Sequence, residues 1–420
     1  MIAAMALEEA LDLIPPGARI VAAQGCGAPT MLLNGLPGLA ERRPGLHLLT
    51  GLQIDDQPYL QSVADGRMRY TTWHVTRPSR PLVADGRADH LPVRLSEVPA
   101  VLRRNGVDVA MVRVSPPDAS GLVSLGPSMC YSPTAIDEAD VVLGEIDPQL
   151  PRTNGPTTVP VERFSALVES DRPTPAYRSI EPDDVAQRIA THLLEYVPDA
   201  ATFQLGVGQV PEAVADTLLS QRVGELRFVG LGVERLADLA DAGLLASPAG
   251  PLPPITSVEL LGNERLMRFA DQNPLLGVYP STEGHDPAWL ATHFDRIVSI
   301  NSAVEIDLFG QVNSEMVAGT QLSTVGGSMD FIEAARLSAG GLSIIAFPAT
   351  TRDGSVSRII PRLGSDVVTT IPRHCVSVVI TEHGSADLRG RTVRERASAL
   401  IEIADPAHRE GLERAIADQG

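Results

Sequence analysis

Lysine is missing from all 420 residues, so the 34 basic side chains are all arginines. Schiff-base catalysis, a pyridoxal phosphate anchor and a Walker A loop each need a lysine and are excluded. Cysteine is scarce too: Cys26, Cys130 and Cys375 are far apart and show no CxxC spacing. That pattern gives neither a disulfide frame nor a cysteine metal site, and reads as three buried thiols. The histidines show no HxH or HExxH spacing, so no metal is expected. No run of about 18 uncharged apolar residues occurs and no basic leader precedes an apolar stretch, so a cytoplasmic protein with no membrane partner is expected. With 52 acidic residues and a net charge of -18, the chain lacks the basic stripe that a nucleic-acid partner would need.

The composition that remains is that of a globular enzyme, 44% hydrophobic and 20% charged, and too long for one core. Residues 1–14 read as a helix stopped by Pro15-Pro16. The stretch from Gly17 to Leu36 then reads as strand, glycine turn (Gly25-Cys-Gly27) and helix, with Pro29 near the first helical turn. A similar unit returns at 200–219, with Gly206-Val-Gly208 and Pro211 in the matching places. Neither turn completes GxGxxG. Tight strand-on-helix packing is one reading, and an anion held by the N–H groups at the helix start is the other. The repetition implies a duplicated α/β half: a first domain over 1–170, a proline-rich linker over 171–182 and a second domain over 183–420.

A second echo lies at two turns. Asp118-Ala-Ser-Gly121-Leu-Val-Ser124 and Asp307-Leu-Phe-Gly310-Gln-Val-Asn313 both read Asp, two residues, Gly, one residue, Val and a small polar side chain. In this register Pro116 stands opposite Glu305. The run from Arg296 alternates like a buried strand and delivers Glu305 to its end. A carboxylate there is either a structural partner in the turn or a desolvated nucleophile for acyl groups. Because the first copy builds the same turn with Pro116, the turn alone does not require Glu305.

Further on, Gly326-Gly327-Ser328 precedes a helix-like run and suits an oxyanion or a phosphate. The loop 349–358, with Arg352 and Gly354, is able to bind phosphate or to serve as a plain connection. Thr381-Glu-His-Gly384 leaves a strand, and the Gly384 N–H could face a developing oxyanion. Asp387 and Arg389 are expected to pair and hold that turn.

Taken together these motifs resemble the acetyl-CoA hydrolase/transferase family of class I CoA-transferases, which includes 4-hydroxybutyrate and succinate:acetate CoA-transferases. The resemblance is carried by residues 299–313, by Val325-Gly-Gly-Ser-Met-Asp-Phe331 and by Thr381-Glu-His-Gly-Ser-Ala-Asp-Leu-Arg-Gly390. It continues through Gly86-Arg-Ala-Asp89, Leu95-Ser-Glu-Val-Pro99 and Val114-Ser-Pro-Pro-Asp118 into the first half. It implies two pseudo-symmetric open α/β domains, a homodimer, and ping-pong transfer of CoA from an acyl-CoA to a small carboxylic acid through a glutamyl-CoA thioester on Glu305. It also implies an oxyanion donor at Gly384, a Gly326-Gly327 loop that approaches CoA and a CoA phosphate contact at Arg352, and the residue patterns add Gly206, Gly208, Ser328 and Gly354 as candidate CoA contacts. Coenzyme A would be a substrate, with no permanently bound cofactor. Hydrolysis of acyl-CoA on the same glutamate and a catalytically inactive CoA-binding protein are the alternatives. Two places depart from the family pattern. Phe228-Val-Gly-Leu-Gly-Val-Glu234 stands where relatives carry a polar Ser-Glu-Met-Phe-Ser-Asp-Gly-type segment, and Arg352 stands where a lysine is common.

Overall fold

The computed structural model describes residues 4–248 and 252–417. The chain forms two compact units. The first comprises Met1–Arg178, Gly230–Glu234 and Pro248–Asp286, and the second Ser179–Val229, Arg235–Ser247 and Pro287–Gly420. The break at Arg178 falls in a stretch, 171–182, that carries neither helix nor strand. The partition is interleaved, however, whereas the sequence suggested an unbroken second domain over 183–420. The physical reason is the strand Ile255–Leu261, buried at all seven positions. Its carbonyls and amides bond residues 127–130: Met129 N to Val258 O at 3.1 Å and Leu260 N to Pro127 O at 2.8 Å.

The first unit is built on a seven-stranded sheet in the order Asp89–His90, Arg69–Thr72, His47–Thr50, Arg19–Ala22, Val109–Val114, Val141–Ile146, Ala166–Glu169, parallel throughout. Such strands are covered on both faces and are therefore near-continuously apolar, as Val109–Val114 is with all six residues buried. The strand order reverses between Arg19–Ala22 and Val109–Val114. In an open α/β sheet that reversal leaves a crevice beyond the strand ends, where ligands bind.

The second unit repeats the plan. Arg227–Val233 lies on one side of Thr202–Leu205, and Ile297–Asn301, Leu342–Ala346, Val378–Thr381 and Gly384–Asp387 follow on the other. The pairings from Thr202 to Thr381 are parallel and the last one is antiparallel. Its reversal point lies between Thr202–Leu205 and Ile297–Asn301. Helices follow both glycine turns, Thr30–Arg42 after Gly25–Gly27 and Gln209–Ser220 after Gly208. The fold is thus two open α/β units, each with a strand order that reverses beside the strand leading into its glycine turn.

Two local expectations change. The first helix covers only Leu7–Leu11, and Met1 to Ala3 lie outside the described residues. Glu305 does not end the strand that starts at Ile297. That strand stops at Asn301, and Glu305–Asp307 is a separate strand, antiparallel to Val312–Asn313 and parallel to Ile359–Ile360. The break has a cause in Arg358, whose Nε donates to Val304 O at 2.7 Å and whose Nη2 donates to Ala303 O.

Candidate active site

The two glycine turns have the same backbone plan and different neighbours. At Gly25 (φ +57°) an added Cβ would stand 2.3 Å from Glu259 Oε1, and at Gly27 it would stand 2.4 Å from Ser128 Cβ. Both glycines are required by packing. The helix start behind them is already occupied: Glu145 Oε2 accepts from Met31 N at 2.9 Å and Leu32 N at 3.2 Å. Arg113, directly across the ladder from Glu145, holds that carboxylate at 2.7 Å and Asp147 at 2.7 Å, and all three side chains are buried. The anion-binding reading is realised here by the chain's own carboxylate.

In the second unit nothing lies within 4 Å of a Cβ added at Gly206 or Gly208. Gly208 (φ +119°) caps the helix Gln209–Ser220 with no side-chain cap. Gly206 needs neither a positive φ nor clearance within the protein. The adjacent strand ends in a small polar net, in which Asn301 Nδ2 donates to Ser299 Oγ at 2.8 Å and to Gln204 Oε1 at 3.3 Å. An open glycine turn at an uncapped helix start is suited to a phosphate or an oxyanion.

Four residues beyond Asn301 stands Glu305, in the turn that echoes the first unit, and the echo holds bond for bond. Asp118 Oδ1 accepts from Ser120 N and Leu122 N, and Asp307 Oδ1 accepts from Phe309 N and Gln311 N. Gly121 N bonds Asp118 O and Gly310 N bonds Asp307 O, while Ser115 N to Ser124 O is matched by Val304 N to Asn313 O. Gly121 and Gly310 both have positive φ, 75° and 87°. Pro116 and Glu305 therefore occupy equivalent positions, as the aligned sequences indicated.

The Glu305 carboxylate is half-buried rather than desolvated. Strand alternation explains this: Ile306 points into the core with no exposure, and Glu305 points the other way. Among the described residues, only Asn313 hydrogen-bonds its carboxylate, Nδ2 to Oε1 at 2.9 Å. Asn313 is itself immobilised. It is fully buried, its Oδ1 accepts from Glu315 N and Met316 N, and its Nδ2 also donates to Met316 O. The carboxylate is thus fixed through one oxygen, and among the described residues Oε2 accepts no hydrogen bond.

Arg358 lies beside this carboxylate. Burial pushes its guanidinium below the usual value, while Glu382 and then Glu305 pull it back up. Glu382 is anchored through Oε2 to Ala349 N at 2.8 Å and opens the hairpin to Gly384. The Gly384 amide, however, lies at the start of the hairpin's second strand. Leu388 N bonds Ser377 O, and the ladder pairs Thr381 with Gly384. Alternation then puts that pair on a bonded rung, with the Gly384 N–H turned to Thr381 O. The oxyanion role expected of Gly384 conflicts with its place in the hairpin, and Asn313 Nδ2 is the donor that the geometry offers to the glutamate.

Gly327 caps the helix Ser328–Leu337, and Gly326 has φ +56°. The Ser328 hydroxyl is spent on Val325 O at 2.9 Å. One apolar cluster, containing Ala303, Ile306, Met329, Ala386 and Ile403, underlies Glu305, the start of this helix and the Gly384 hairpin. Arg352 and Gly354 stand apart on an exposed loop tip. There Asp353 accepts from Thr351 Oγ1 and from Ser355 N and Oγ, and these bonds hold its carboxyl down to about 2. With the serine donor committed to an acid, Arg352 is the group left to meet a phosphate. Asp387 and Arg389 pair at 2.6 Å as expected. The three thiols are buried and none of them forms a disulfide. Among the described residues no group of three or more His, Cys, Asp or Glu could hold a metal, and no helix is long and apolar enough to cross a membrane.

Asn313 and Arg358 are neighbours of Glu305 that sequence reasoning did not single out. Asn313 was visible as the last residue of the echo, where Ser124 replaces it, and that difference was its signal.

Residues 3–185 match the N-terminal domain of acetyl-CoA hydrolase/transferase, and residues 262–416 match its C-terminal domain. The chain belongs to the acetyl-CoA hydrolase/transferase family. The 4-hydroxybutyrate coenzyme A transferase of Clostridium kluyveri is 35% identical over 413 residues, covering 96% of this chain and 95% of that protein. A succinyl-CoA:acetate/propanoyl-CoA:succinate CoA transferase of Fasciola hepatica is 32% identical, covering 98% and 87%. Among solved structures, RipA from Yersinia pestis superposes with a TM-score of 0.91 at 28% identity, covering 99% and 97%.

Proposed function

We propose that this family member transfers CoA from an acyl-CoA to a small carboxylic acid, with Glu305 as the carrier. The observation that carries the reading is the second unit's reversal point. It combines an open glycine turn at an uncapped helix start with a carboxylate held through one oxygen by a buried amide. The relatives named as CoA transferases support the same reaction class.

Glu305 Oε2 attacks the thioester carbonyl, the C–S bond breaks, and CoA leaves as the thiolate from a mixed anhydride. The thiolate attacks the glutamyl carbonyl, the acyl group departs as a carboxylate, and glutamyl-CoA remains. As charge gathers on Oε1 in that step, Asn313 Nδ2 already donates to it, which costs no reorganisation. An acceptor carboxylate reverses the sequence and leaves as its CoA ester. No net proton moves, which suits a site without a dedicated acid–base pair. CoA is a substrate here, and a cytoplasmic homodimer is part of the proposal, open to test by sedimentation.

The test is intact mass after incubation with a panel of acyl-CoAs. Wild type should gain a CoA-sized, hydroxylamine-sensitive adduct, and Glu305→Gln should gain none. An adduct that survives in Glu305→Gln would move the role to another carboxylate and refute the assignment. CoA release in the absence of an acceptor acid would mark hydrolysis instead.

A further inference from the structure

We propose that a cavity at the N-terminal ends of the second unit's central strands binds a small zwitterion of the α-amino acid class, apart from the crevice at the reversal point. The cavity measures about 290 Å³, and Ala200, Glu225, Arg227, Asp295 and Arg296 are among the residues that line it. All of them belong to the second unit. That volume lies at the small end of ligand sites.

Backbone conformation marks the place first. Three adjacent strands start here, Arg227–Val233, Thr202–Leu205 and Ile297–Asn301. The chain approaches each of them through a non-glycine residue of positive φ: Glu225 at +56°, Ala200 at +50° and Arg296 at +51°. Among the described residues seven non-glycine positions have positive φ, and three of the seven line this one cavity. An L side chain is strained there, and glycine would relieve it. The chain has 36 glycines and places none at these three positions. Neighbouring bonds hold the strained turns: Arg296 N donates to Ala339 O at 2.9 Å, Thr202 N to Arg296 O at 3.1 Å and Arg227 N to Ala201 O at 3.2 Å. Strain kept in place by its surroundings clusters at ligand sites.

Charge identifies the ligand class. Glu225 and Asp295 bring two negative charges to the cavity, and Arg227 and Arg296 bring two positive ones. Among the described residues no carboxylate lies within 4.0 Å of either arginine, although opposite charges share so small a space. Arg227 has one nitrogen engaged, Nη2 donating to Ser247 O at 3.0 Å. A simple anion would meet the arginines but face two carboxylates, and a simple cation would meet the reverse. A molecule with a carboxylate and an ammonium satisfies both pairs, the planar guanidinium forks taking the carboxylate. The same strands run on to Gly206 and Asn301, about 13 Å further along. The cavity therefore opens at the opposite edge of the sheet from the glycine turn.

Thermal shift and calorimetry on the full chain test this. Each of the common L-amino acids serves as a probe, and the N-acetyl acid and the amide of any binder serve as controls that lack one of the two charges. An amino acid should raise the melting temperature and bind, and both controls should bind at least about tenfold more weakly. Arg296→Gln and Asp295→Asn should each weaken that binding about tenfold or more. Both side chains are exposed, so the unliganded melting temperature and the affinity for CoA should not change. The proposal is overturned if no amino acid binds, if the N-acetyl acid or the amide binds as tightly, or if both variants bind like wild type. Loss of CoA affinity in the variants would assign the cavity to the acyl-CoA and overturn it too. None of these readouts needs a reactive Glu305, so failure to form a glutamyl adduct leaves them untouched.

Discussion

The two glycine turns share sequence pattern, strand order and helix, and differ in what faces them. In the first unit the turn and the helix start behind it are filled from within. Glu259 and Ser128 press on Gly25 and Gly27, and Glu145 takes the amides of the following helix under the control of Arg113. In the second unit the corresponding glycines face no protein atom within 4 Å. The neighbouring turns differ likewise, with Pro116 in one and Glu305 with its Asn313 partner in the other. One unit closes its glycine turn with its own side chains and the other leaves the matching turn open. The lesson is that a motif shared by two halves says little about function until its neighbours are known.

The comparison can be broken most forcefully at Arg113. Arg113→Ala would leave Glu145 and Asp147 buried without a counter-charge, and stability should drop by about 3–5 kcal/mol, read as a lower urea midpoint. A similar loss is not expected from any side chain at the second reversal point. The glycines give a more selective test. Gly25→Ala should cost about 1–3 kcal/mol, because its Cβ would meet Glu259 and its φ is positive. Gly206→Ala should leave the urea midpoint unchanged and raise the KM for acyl-CoA. Equal effects of the two substitutions on stability would erase the distinction between the units.

The smallest effect is a pH dependence confined to the first unit. Glu259 is fully buried, and desolvation pushes its carboxyl up to about 8, against bonds from Ser128 and Gln24 that pull the other way. Its folded value lies above the unfolded one, so the folded state holds the extra proton. The stabilisation is complete below about pH 4.5 and declines as pH rises to about 8. Between pH 7 and 8 this carboxyl should lower stability by about 1 kcal/mol. Glu259→Gln should flatten that part of the profile, and an unaltered slope would remove Glu259 as its source.

Much of this architecture was legible in the residues. The glycine turns, the apolar strands and the Asp-x-x-Gly echo are local patterns, and local patterns survive in a sequence. The echo even gave the correct register of Pro116 against Glu305. What could not be read is long-range. Glu145 reaches a helix more than a hundred residues away, and Glu259 closes on Gly25 across a greater separation. The break between Asn301 and Glu305 depends on Arg358, which approaches from another loop. The Gly384 amide looked available because its partner, Thr381, is engaged only through the hairpin register.

The Glu145 carboxylate has one more consequence. It is a competitor tethered inside the fold, present at the first helix start at an effective concentration that a dissolved phosphate does not match. A chain made of two alike halves should therefore titrate as monovalent, binding one CoA per polypeptide.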